Sequence, residues 1–367
     1  MKKTLLSIIA FVLLCFNIRA QQSQAIENVI IITTDGFRWQ EVFHGMDTDI
    51  ARKSAFNQHD SSGIHKKYWA PTPEERRKKL LPFLWNTVAT NGQIYGNRQY
   101  DVKVDNANPY WFSYPGYSEI FCGFVDSAIN SNDFPPNPNT NVLEFINKQK
   151  GFKGRVAAFG AWSAFNNILN EQRSKFDVIC GAELCGGKNP NAQQRLINQM
   201  KQDTYNPFDN EEYLDVFTHY AAFDYLTNQM PRVLYISYGE TDEWAHEGHY
   251  KNYLDAANRV DKWLNDIWNF VQKDPQYKNK TALFITVDHG RGDTHKDKWT
   301  SHGSKIPDSH EIWFAAIGPG IAASGEIKSP VQLYQKQFAE TIAKLLGMDF
   351  TCEHLVSAGF EDLLMKK

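Results

Sequence analysis

Five short runs of Val, Ile and aromatic residues constrain the fold of this chain more than any other feature of its sequence. Continuous apolar runs of this length are typical of strands in a parallel sheet that is covered on both faces. Helical patterns lie between the runs, since apolar residues recur at three- and four-residue spacing over 254–271 and over 331–346. This alternation of strands and helices predicts a doubly wound α/β fold. The runs are Val29–Thr33, Arg155–Phe159, Val233–Tyr238, Leu283–Val287 and Trp313–Ile317.

Two polar stretches interrupt this pattern. Residues 48–79 are charged and irregular at first, with a helix predicted from Pro73 towards Val88, and residues 185–212 are rich in Asn and Gln. We interpret both as loops or insertions over the edge of the sheet, where elements that shape a substrate site often lie. Neither has enough apolar periodicity for a domain of its own, so residues 21–367 are predicted to form a single domain.

The first twenty residues have the pattern of a secretory signal peptide. Lys2 and Lys3 precede an apolar stretch from Leu5 to Leu14, and the small residue Ala20 precedes a polar segment. The stretch is shorter than the roughly 20 apolar residues of a membrane span. We therefore expect cleavage after residue 20 and a secreted or periplasmic protein without a membrane span; a retained N-terminal anchor is the alternative.

Export would place the remaining cysteines in an oxidising compartment. We predict a disulfide between Cys180 and Cys185, which flank a short loop that contains glycine. Half of a zinc site is the weaker alternative, because no second pair of Cys or His residues lies nearby. Cys122 and Cys352 are either buried as small apolar residues or bonded to each other.

The composition excludes several classes of protein. Hydrophobic residues make up 42% of the chain and charged residues 22%, as in a folded globular protein and unlike a disordered one. The formal net charge is −3, so the sequence lacks the basic excess that marks a nucleic-acid-binding surface. An enzyme-sized globular protein remains, and nothing in its sequence indicates an oligomeric state.

Three acidic residues follow predicted strands closely. Asp35 comes soon after the first run, Asp242 four residues after the third, and Asp288 directly after the fourth. Ligands of open α/β sheets bind beyond the carboxyl ends of the strands, so we expect these acids to meet at one edge. A single Asp in such a place commonly forms a turn or a helix cap. Three of them, two with histidines nearby, favour a shared site.

Histidines complete a candidate metal site with these acids. His246 follows Asp242 by four residues, a spacing that puts both on one face of a helical turn. His289 follows Asp288 directly, and His302 lies before the fifth run. Carboxylate and imidazole donors together suit zinc or manganese. Two other histidines lie close to these residues and are the nearest alternatives as ligands: His249 and His310.

A nucleophile for this site is predicted in the segment Ser113–Gly123. Pro115 and Gly116 indicate a turn that leads into a short helix, with Ser118 near its N-terminus, where backbone N–H groups favour an anion. A metal-bound hydroxyl would ionise near neutral pH and attack phosphorus. A helix-capping serine is the alternative. The chain has no Gly-x-Ser-x-Gly motif, so an α/β-hydrolase elbow is not supported.

Five short motifs resemble, in this order, those of the alkaline phosphatase superfamily, and most closely its nucleotide pyrophosphatase/phosphodiesterase (type I phosphodiesterase) branch. The resemblance spans residues 29–348 and implies an α/β/α sandwich with a central, mostly parallel sheet. In two motifs the chain departs from the branch: Ala245 replaces a glycine, and Ser118 replaces the threonine nucleophile. The motifs are Thr34–Arg38, Tyr114–Ser118, Asp242–His246, Asp288–Gly290 and His302–Gly303.

The resemblance also implies a mechanism. It implies two zinc ions, with manganese as the alternative, and hydrolysis of a small phosphodiester or phosphomonoester through a covalent phosphoserine at Ser118. Ser118 would also contact the second metal. A Cys-x-Pro-x-Arg sulfatase signature is absent around Ser118, which disfavours sulfate esters. One zinc would be held by Asp242, His246 and His302, and the other by Asp35, Asp288 and His289.

Three alternatives belong to other functional classes. A sulfatase-like ester hydrolase would share the metal site. An exported, metal-dependent binding protein for phosphorylated glycans or lipids would keep the metals without turnover, but it would have no need of a nucleophile. Cofactor-independent phosphoglycerate mutases share the metal fold, but they carry an additional domain for which this chain is too short. A phosphoric ester hydrolase is therefore the preferred prediction.

Overall fold

A sheet of eight strands runs through the protein, whose computed structural model describes residues 26–208 and 211–364. The predicted signal peptide and its Cys15 lie outside the described residues. The strands are β1 (Asn28–Thr34), β2 (Gly92–Tyr95), β3 (Val102–Asp105), β4 (Val156–Gly160), β5 (Asp177–Cys180), β6 (Val233–Tyr238), β7 (Thr281–Thr286), β8 (Glu311–Ile312), β9 (Phe314–Ile317), β10 (Gly325–Glu326) and β11 (Val331–Tyr334).

Helices cover the sheet and connect its strands. They are α1 (Trp39–His44), α2 (Thr48–Arg52), α3 (Ser61–Tyr68), α4 (Pro73–Leu80), α5 (Ala89–Asn91), α6 (Ser113–Cys122), α7 (Val142–Asn147), α8 (Phe165–Ile168), α9 (Glu171–Ser174), α10 (Ala192–Asp203), α11 (Asp215–Gln229), α12 (Glu240–His246), α13 (Tyr250–Val271) and α14 (Phe338–Leu345). A π-helical turn spans Leu84–Val88, and short 3₁₀ turns span Arg98–Tyr100, Lys296–Thr300, Pro307–His310, Gln335–Gln337 and Glu361–Leu363.

The strand order of the large sheet is β10-β2-β9-β7-β1-β6-β4-β5, and β11-β3-β8 form a second sheet. The strands β7, β1, β6, β4 and β5 are parallel to one another, whereas β9 runs antiparallel to both of its neighbours. The prediction of an α/β fold with a mostly parallel sheet is therefore confirmed.

The core lies along the central strands. Every residue of β1, β6 and β7 is buried, which explains why these segments read as continuous apolar runs instead of alternating ones. The long helix α13 lies where the spacing predicted a helix, and its buried residues include Leu254, Val260 and Ile267.

Three sequence-based assignments are wrong in detail. The segment 331–346 is not one helix, because Val331–Tyr334 pairs with β3 as a strand and the helix begins only at Phe338. The helix predicted from Pro73 towards Val88 ends at Leu80, before the π-helical turn. The two polar stretches also contain helices, namely α2 and α3 in the first and α10 in the second.

The cysteines among the described residues are all free thiols, so the predicted bond between Cys180 and Cys185 is wrong. Each thiol has another partner: Cys180 Sγ donates to the backbone oxygen of Ser163 (3.3 Å), and Cys185 Sγ donates to Asn198 Oδ1 (3.1 Å). Cys122 is buried and Cys352 is half-buried. Within the part of the chain that the structure describes, no helix combines the length and the apolar character that crossing a bilayer requires.

Candidate metal centre

The candidate site lies at the carboxyl edge of three adjacent strands. β1 pairs with β6 on one side and with β7 on the other, and all three run in the same direction. Thr34 is in register with Tyr238, and Thr33 with Thr286. The residues that follow these strands therefore emerge side by side, and the structure brings the predicted acids and histidines together there.

Asp35, Asp288 and His289 form one potential metal-binding set, which we call the buried group. His289 Nε2 lies 3.4 Å from Asp35 Oδ1 and 3.4 Å from Asp288 Oδ2. The other carboxylate oxygens are occupied, because Asp35 Oδ2 accepts from the Tyr117 hydroxyl (2.8 Å) and Asp288 Oδ1 accepts from Gly36 N (3.1 Å). Asp35 Oδ1 and Asp288 Oδ2 are buried without a hydrogen-bond partner among the described residues.

The second potential metal-binding set consists of Asp242, His289 and His302. The predicted ligands Asp242, His246 and His302 also lie together here, and we call these three the rim group. Asp242 Oδ2 lies 2.9 Å from His246 Nε2 and 3.9 Å from His302 Nε2. The two imidazoles meet with their Nε2 atoms 3.0 Å apart. His289 connects the groups, because its Nε2 lies 3.8 Å from Asp242 Oδ1 and its ring stacks on His302 with centroids 4.0 Å apart.

The electrostatics of the site favour a cation. Burial and the neighbouring Asp35 carboxylate raise the pKa of Asp288 well above its usual range. Burial alone would lower the pKa of His289, but Asp288, Asp35 and Asp242 outweigh it and raise that pKa to about 9. The negative potential that raises this pKa also attracts a divalent cation.

Helix α6 presents one face to the site, and that face carries Ser113. The Ser113 hydroxyl lies 3.4 Å from His289 Nε2. Gly116 and Tyr117 are three and four residues further on, so they lie on the same face of the helix. A Cβ on Gly116 would lie 2.5 Å from the Asp288 backbone oxygen, so glycine allows the helix to pack directly on the strand end that carries Asp288.

The structure does not bring Ser118 to this face. Ser118 is the sixth residue of α6 and does not begin it, which makes the predicted position at the helix N-terminus wrong. Five residues turn a helix by about 500° and advance it by about 7.5 Å, so Ser118 points away from the side that carries Ser113. Its hydroxyl accepts from Asn137 Nδ2 (3.0 Å) and donates to Cys122 Sγ (3.8 Å).

Three side chains at the site were missed by the sequence analysis in addition to Ser113. Tyr117 is the hydroxyl donor to Asp35 described above, and burial and the nearby Asp288 raise its pKa well above the usual range, which keeps it protonated. Arg291 is buried and donates from Nη1 to Asp242 Oδ1. Among these residues, only Arg291 could have been predicted from the sequence as part of the site, because it directly follows the Asp288–Gly290 motif.

Glu212 is the third of these side chains. Its Oε1 is buried without a hydrogen-bond partner among the described residues, and it occupies the place where a Cβ on Gly239 would lie. Burial, then the charges of Glu243 and Asp35, raise the pKa of Glu212 well above its usual range. The Asn- and Gln-rich stretch that ends at Glu212 therefore supplies a further carboxyl group near the site.

The two alternative ligands lie elsewhere. His249 stacks on Trp244, with ring centroids 5.8 Å apart, and His310 packs against Trp111 at 5.0 Å. Neither belongs to the potential metal-binding sets found among residues 26–208 and 211–364. His246 is also outside these sets, but its Nε2 contacts both Asp242 Oδ2 and His302 Nε2.

Comparison with protein families gives one match in the C-terminal half of the chain. Residues 186–349, which include the rim group, Asp288 and His289, match the model of the Metalloenzyme superfamily. No curated protein sequence is similar enough to the chain to count as a match.

Several solved structures share the fold. The lipoteichoic acid synthase LtaP from Listeria monocytogenes has a TM-score of 0.60 at 12% identity and covers 93% of this chain and 76% of its own. The wild-type alkaline phosphatase PafA has a TM-score of 0.59 at 10% identity and covers 93% and 99%. A 2-O GAG sulfatase has a TM-score of 0.54 at 16% identity and covers 89% and 72%. The chain is therefore similar to the Metalloenzyme superfamily over residues 186–349 and shares its fold with an alkaline phosphatase and a sulfatase, and neither comparison selects the nucleotide pyrophosphatase/phosphodiesterase branch.

Proposed function

We propose that the protein is an exported, metal-dependent phosphoric ester hydrolase in which Ser113 is the nucleophile. The observation that carries this proposal is the position of the Ser113 hydroxyl, 3.4 Å from the Nε2 of the histidine that connects the two metal-binding groups. A nucleophile next to a carboxylate–imidazole site is an arrangement suited to transfer of a phosphoryl group. The substrate would be a small phosphodiester or phosphomonoester.

The residues of the site fit a pair of divalent cations, zinc or manganese. Two carboxylates buried side by side are costly without a compensating charge, and two of their oxygens lack partners. The mixture of oxygen and imidazole donors suits zinc and manganese better than magnesium, which prefers an all-oxygen shell. Asp35, Asp288 and His289 would hold one ion, and Asp242, His246 and His302 the other.

Bound divalent cations would lower the pKa of a neighbouring hydroxyl and stabilise negative charge on phosphoryl oxygens. In the first step the Ser113 Oγ–phosphorus bond forms while the ester P–O bond breaks. The serine proton passes to solvent, and the leaving oxygen takes one from solvent. In the second step water displaces Ser113 Oγ from phosphorus, which releases the phosphate product and restores the serine hydroxyl.

Phosphate is favoured over sulfate by the sequence of helix α6. The sulfatase pattern Cys-x-Pro-x-Arg can be aligned with the five residues that begin at Ser113. Only the proline, Pro115, then matches, because Ser113 stands at the position of the cysteine and Tyr117 at the position of the arginine. The Tyr117 hydroxyl is already engaged with Asp35. Hydrolysis of a sulfate ester would therefore need a different set of contacts.

Matched serine variants on the same helix test the proposal. Ser113→Ala and Ser118→Ala each remove one buried hydroxyl from α6. We expect Ser113→Ala to fold and to lose roughly 10³-fold or more in turnover. We expect Ser118→Ala to lose about 1 kcal/mol of stability with its hydrogen bonds and to keep turnover within a few-fold.

Activity should be measured on a chromogenic phosphomonoester, a phosphodiester and a sulfate ester, together with thermal melting of each variant. Chelation should abolish hydrolysis of a phosphate ester, and zinc or manganese should restore it. An active Ser113→Ala variant with an inactive but folded Ser118→Ala variant would refute the assignment. Turnover of the sulfate ester alone would refute phosphate as the substrate.

We further propose that residues 21–367 act as one hydrolase domain after removal of residues 1–20. The support is the sequence pattern of the first twenty residues. N-terminal sequencing of protein recovered from outside the cytoplasm should give a chain that begins at Gln21.

A further inference from the structure

A permanent positive charge, that of Arg291, lies next to the rim group and has no counterpart beside the buried group. Arg291 is 1% exposed, and its guanidinium donates to Asp242 Oδ1 from Nη1. It also donates to two backbone oxygens, from Nε to Trp299 (2.8 Å) and from Nη2 to Thr300 (2.7 Å). These bonds fix the side chain, and a guanidinium does not lose its proton in a protein. The positive charge therefore stays beside Asp242.

The formal charges of the two groups differ as a result. The buried group has two carboxylates, and their only ion-pair partner among the described residues is His289, itself a member of the group. The rim group has one carboxylate, and Arg291 neutralises it. A divalent cation is thus attracted more strongly to the buried group.

The two groups also differ in how far they are organised for a cation. In the buried group two carboxylate oxygens lack partners and both face His289 Nε2 at 3.4 Å. In the rim group the ligand atoms already contact one another, so that a cation must replace the contacts of His246 Nε2 with Asp242 Oδ2 and His302 Nε2. The His246 side chain is 45% exposed, against 0% for His289, so the rim group is also open to exchange.

We propose that the buried group binds the first divalent cation far more tightly than the rim group binds the second, and that Arg291 sets this difference. Arg291 acts here as a positioning residue, since it holds Asp242 Oδ1 and leaves Oδ2 to face the two rim histidines. The inference rests on the two-cation site of the proposed function. As a consequence, the rate of hydrolysis should rise with the free metal concentration over the range in which the rim group binds its cation.

Zinc titration of metal-free protein against a competing chelator tests this inference without any activity measurement. We expect two steps, with the first ion bound about 100-fold more tightly than the second, the upper end of the range that residues next to metal ligands commonly control. His246→Ala should remove only the weaker step, and Asp288→Asn should remove the tighter one. Two ions of equal affinity, or loss of the tighter step in His246→Ala, would overturn the inference.

Substitution of Arg291 tests the cause of the difference. Arg291→Met removes the charge and keeps much of the length, so it should tighten the second step about tenfold, or ~1.4 kcal/mol. Arg291→Lys keeps the charge and should leave the second step within a few-fold of the original. Equal effects of Met and Lys would contradict an electrostatic origin. If Arg291→Met fails to fold, the isotherms of the original protein and of His246→Ala still decide the unequal affinity.

The outcomes separate this inference from the proposed function. Two unequal zinc steps in a protein that hydrolyses no phosphate ester would refute the function and leave the inference standing. Two equal steps in an active hydrolase would refute the inference alone.

Discussion

A single hydroxyl group holds one of the candidate metal-binding carboxylates in place. The Tyr117 hydroxyl donates to Asp35 Oδ2, and since its pKa is raised by burial it remains a donor at any ordinary pH. Tyr117→Phe should leave Asp35 free to rotate. We expect a loss of about 10–100-fold in metal affinity or in turnover, the usual cost when a partner of a metal ligand is removed. A zinc-binding isotherm and kcat measured at saturating zinc would check this.

Tyr114 provides the matched control on the same helix. It is also fully buried, but its hydroxyl donates to the backbone oxygen of Pro135 (2.8 Å), away from the site. Tyr114→Phe should cost about 1 kcal/mol of stability and leave metal binding unchanged. Equal effects of the two variants on zinc affinity would show that Tyr117 has no positioning role.

The predicted acids and histidines lie together in the structure, and Ser113, instead of the predicted Ser118, lies beside them. Asp35 and Asp288 follow runs that are strands, and the carboxyl ends of parallel strands meet by geometry alone. The choice between Ser113 and Ser118 depends on where α6 begins. Proline fits the first turn of a helix, so the helix can start before Pro115, and then Ser113 faces the site. Because we interpreted Pro115 as part of a turn, we predicted a later start for the helix and did not consider Ser113.

At the scale of elements, the packing of helix α11 between β6 and α13 creates a pH-sensitive contact. His219 stacks on Trp263 with centroids 4.5 Å apart, and its Nδ1 lies 3.0 Å from the Tyr238 hydroxyl. Burial lowers the pKa of His219 to about 3, below the ordinary value of 6.5. The unfolded chain therefore binds a proton between these values that the folded chain does not. The free energy of unfolding should fall with pH below about 6.5, by up to ~1.4 kcal/mol per unit from this group.

Denaturant unfolding at several pH values between 7 and 5 would check this prediction. The slope of the unfolding free energy against pH should be smaller in His219→Gln, because the contribution of His219 is absent. The variant should therefore lose less stability on acidification than the original protein. His65→Gln, at an exposed position, should leave the slope unchanged. An unchanged slope in His219→Gln would show that the buried imidazole takes up its proton without unfolding.

The elements that the sequence misassigned are those with ambiguous periodicity. Val331, Tyr334, Phe338 and Ile342 fit a helical spacing, but Val331 and Leu333 also alternate as in a strand, and pairing with β3 decides for the strand. Polar helices such as α10 bury only part of one face, so they leave little apolar pattern to detect.

At the scale of the whole molecule, the alternation of strands and helices was enough to predict the fold class, but not the direction of every strand. Phe314–Ile317 is fully buried and lies inside the sheet, so its continuous apolar sequence does not indicate the direction of the strand. In the structure this strand runs antiparallel to both of its neighbours. The position of the site was predictable because β1, β6 and β7 are parallel. The contribution of Glu212, from a distant polar stretch, was not.

In the proposed function, Ser113 carries the phosphoryl group as a covalent intermediate. The most direct measurement is rapid acid quenching of the metal-loaded protein during turnover of a phosphate ester, followed by mass spectrometry of its peptides. We expect one phosphoryl group on the peptide that contains Ser113, with fragment ions that place it on this residue and not on Ser118. Phosphate found on Ser118, or turnover without any phosphorylated peptide and with inversion at a chiral phosphorus, would contradict the claim.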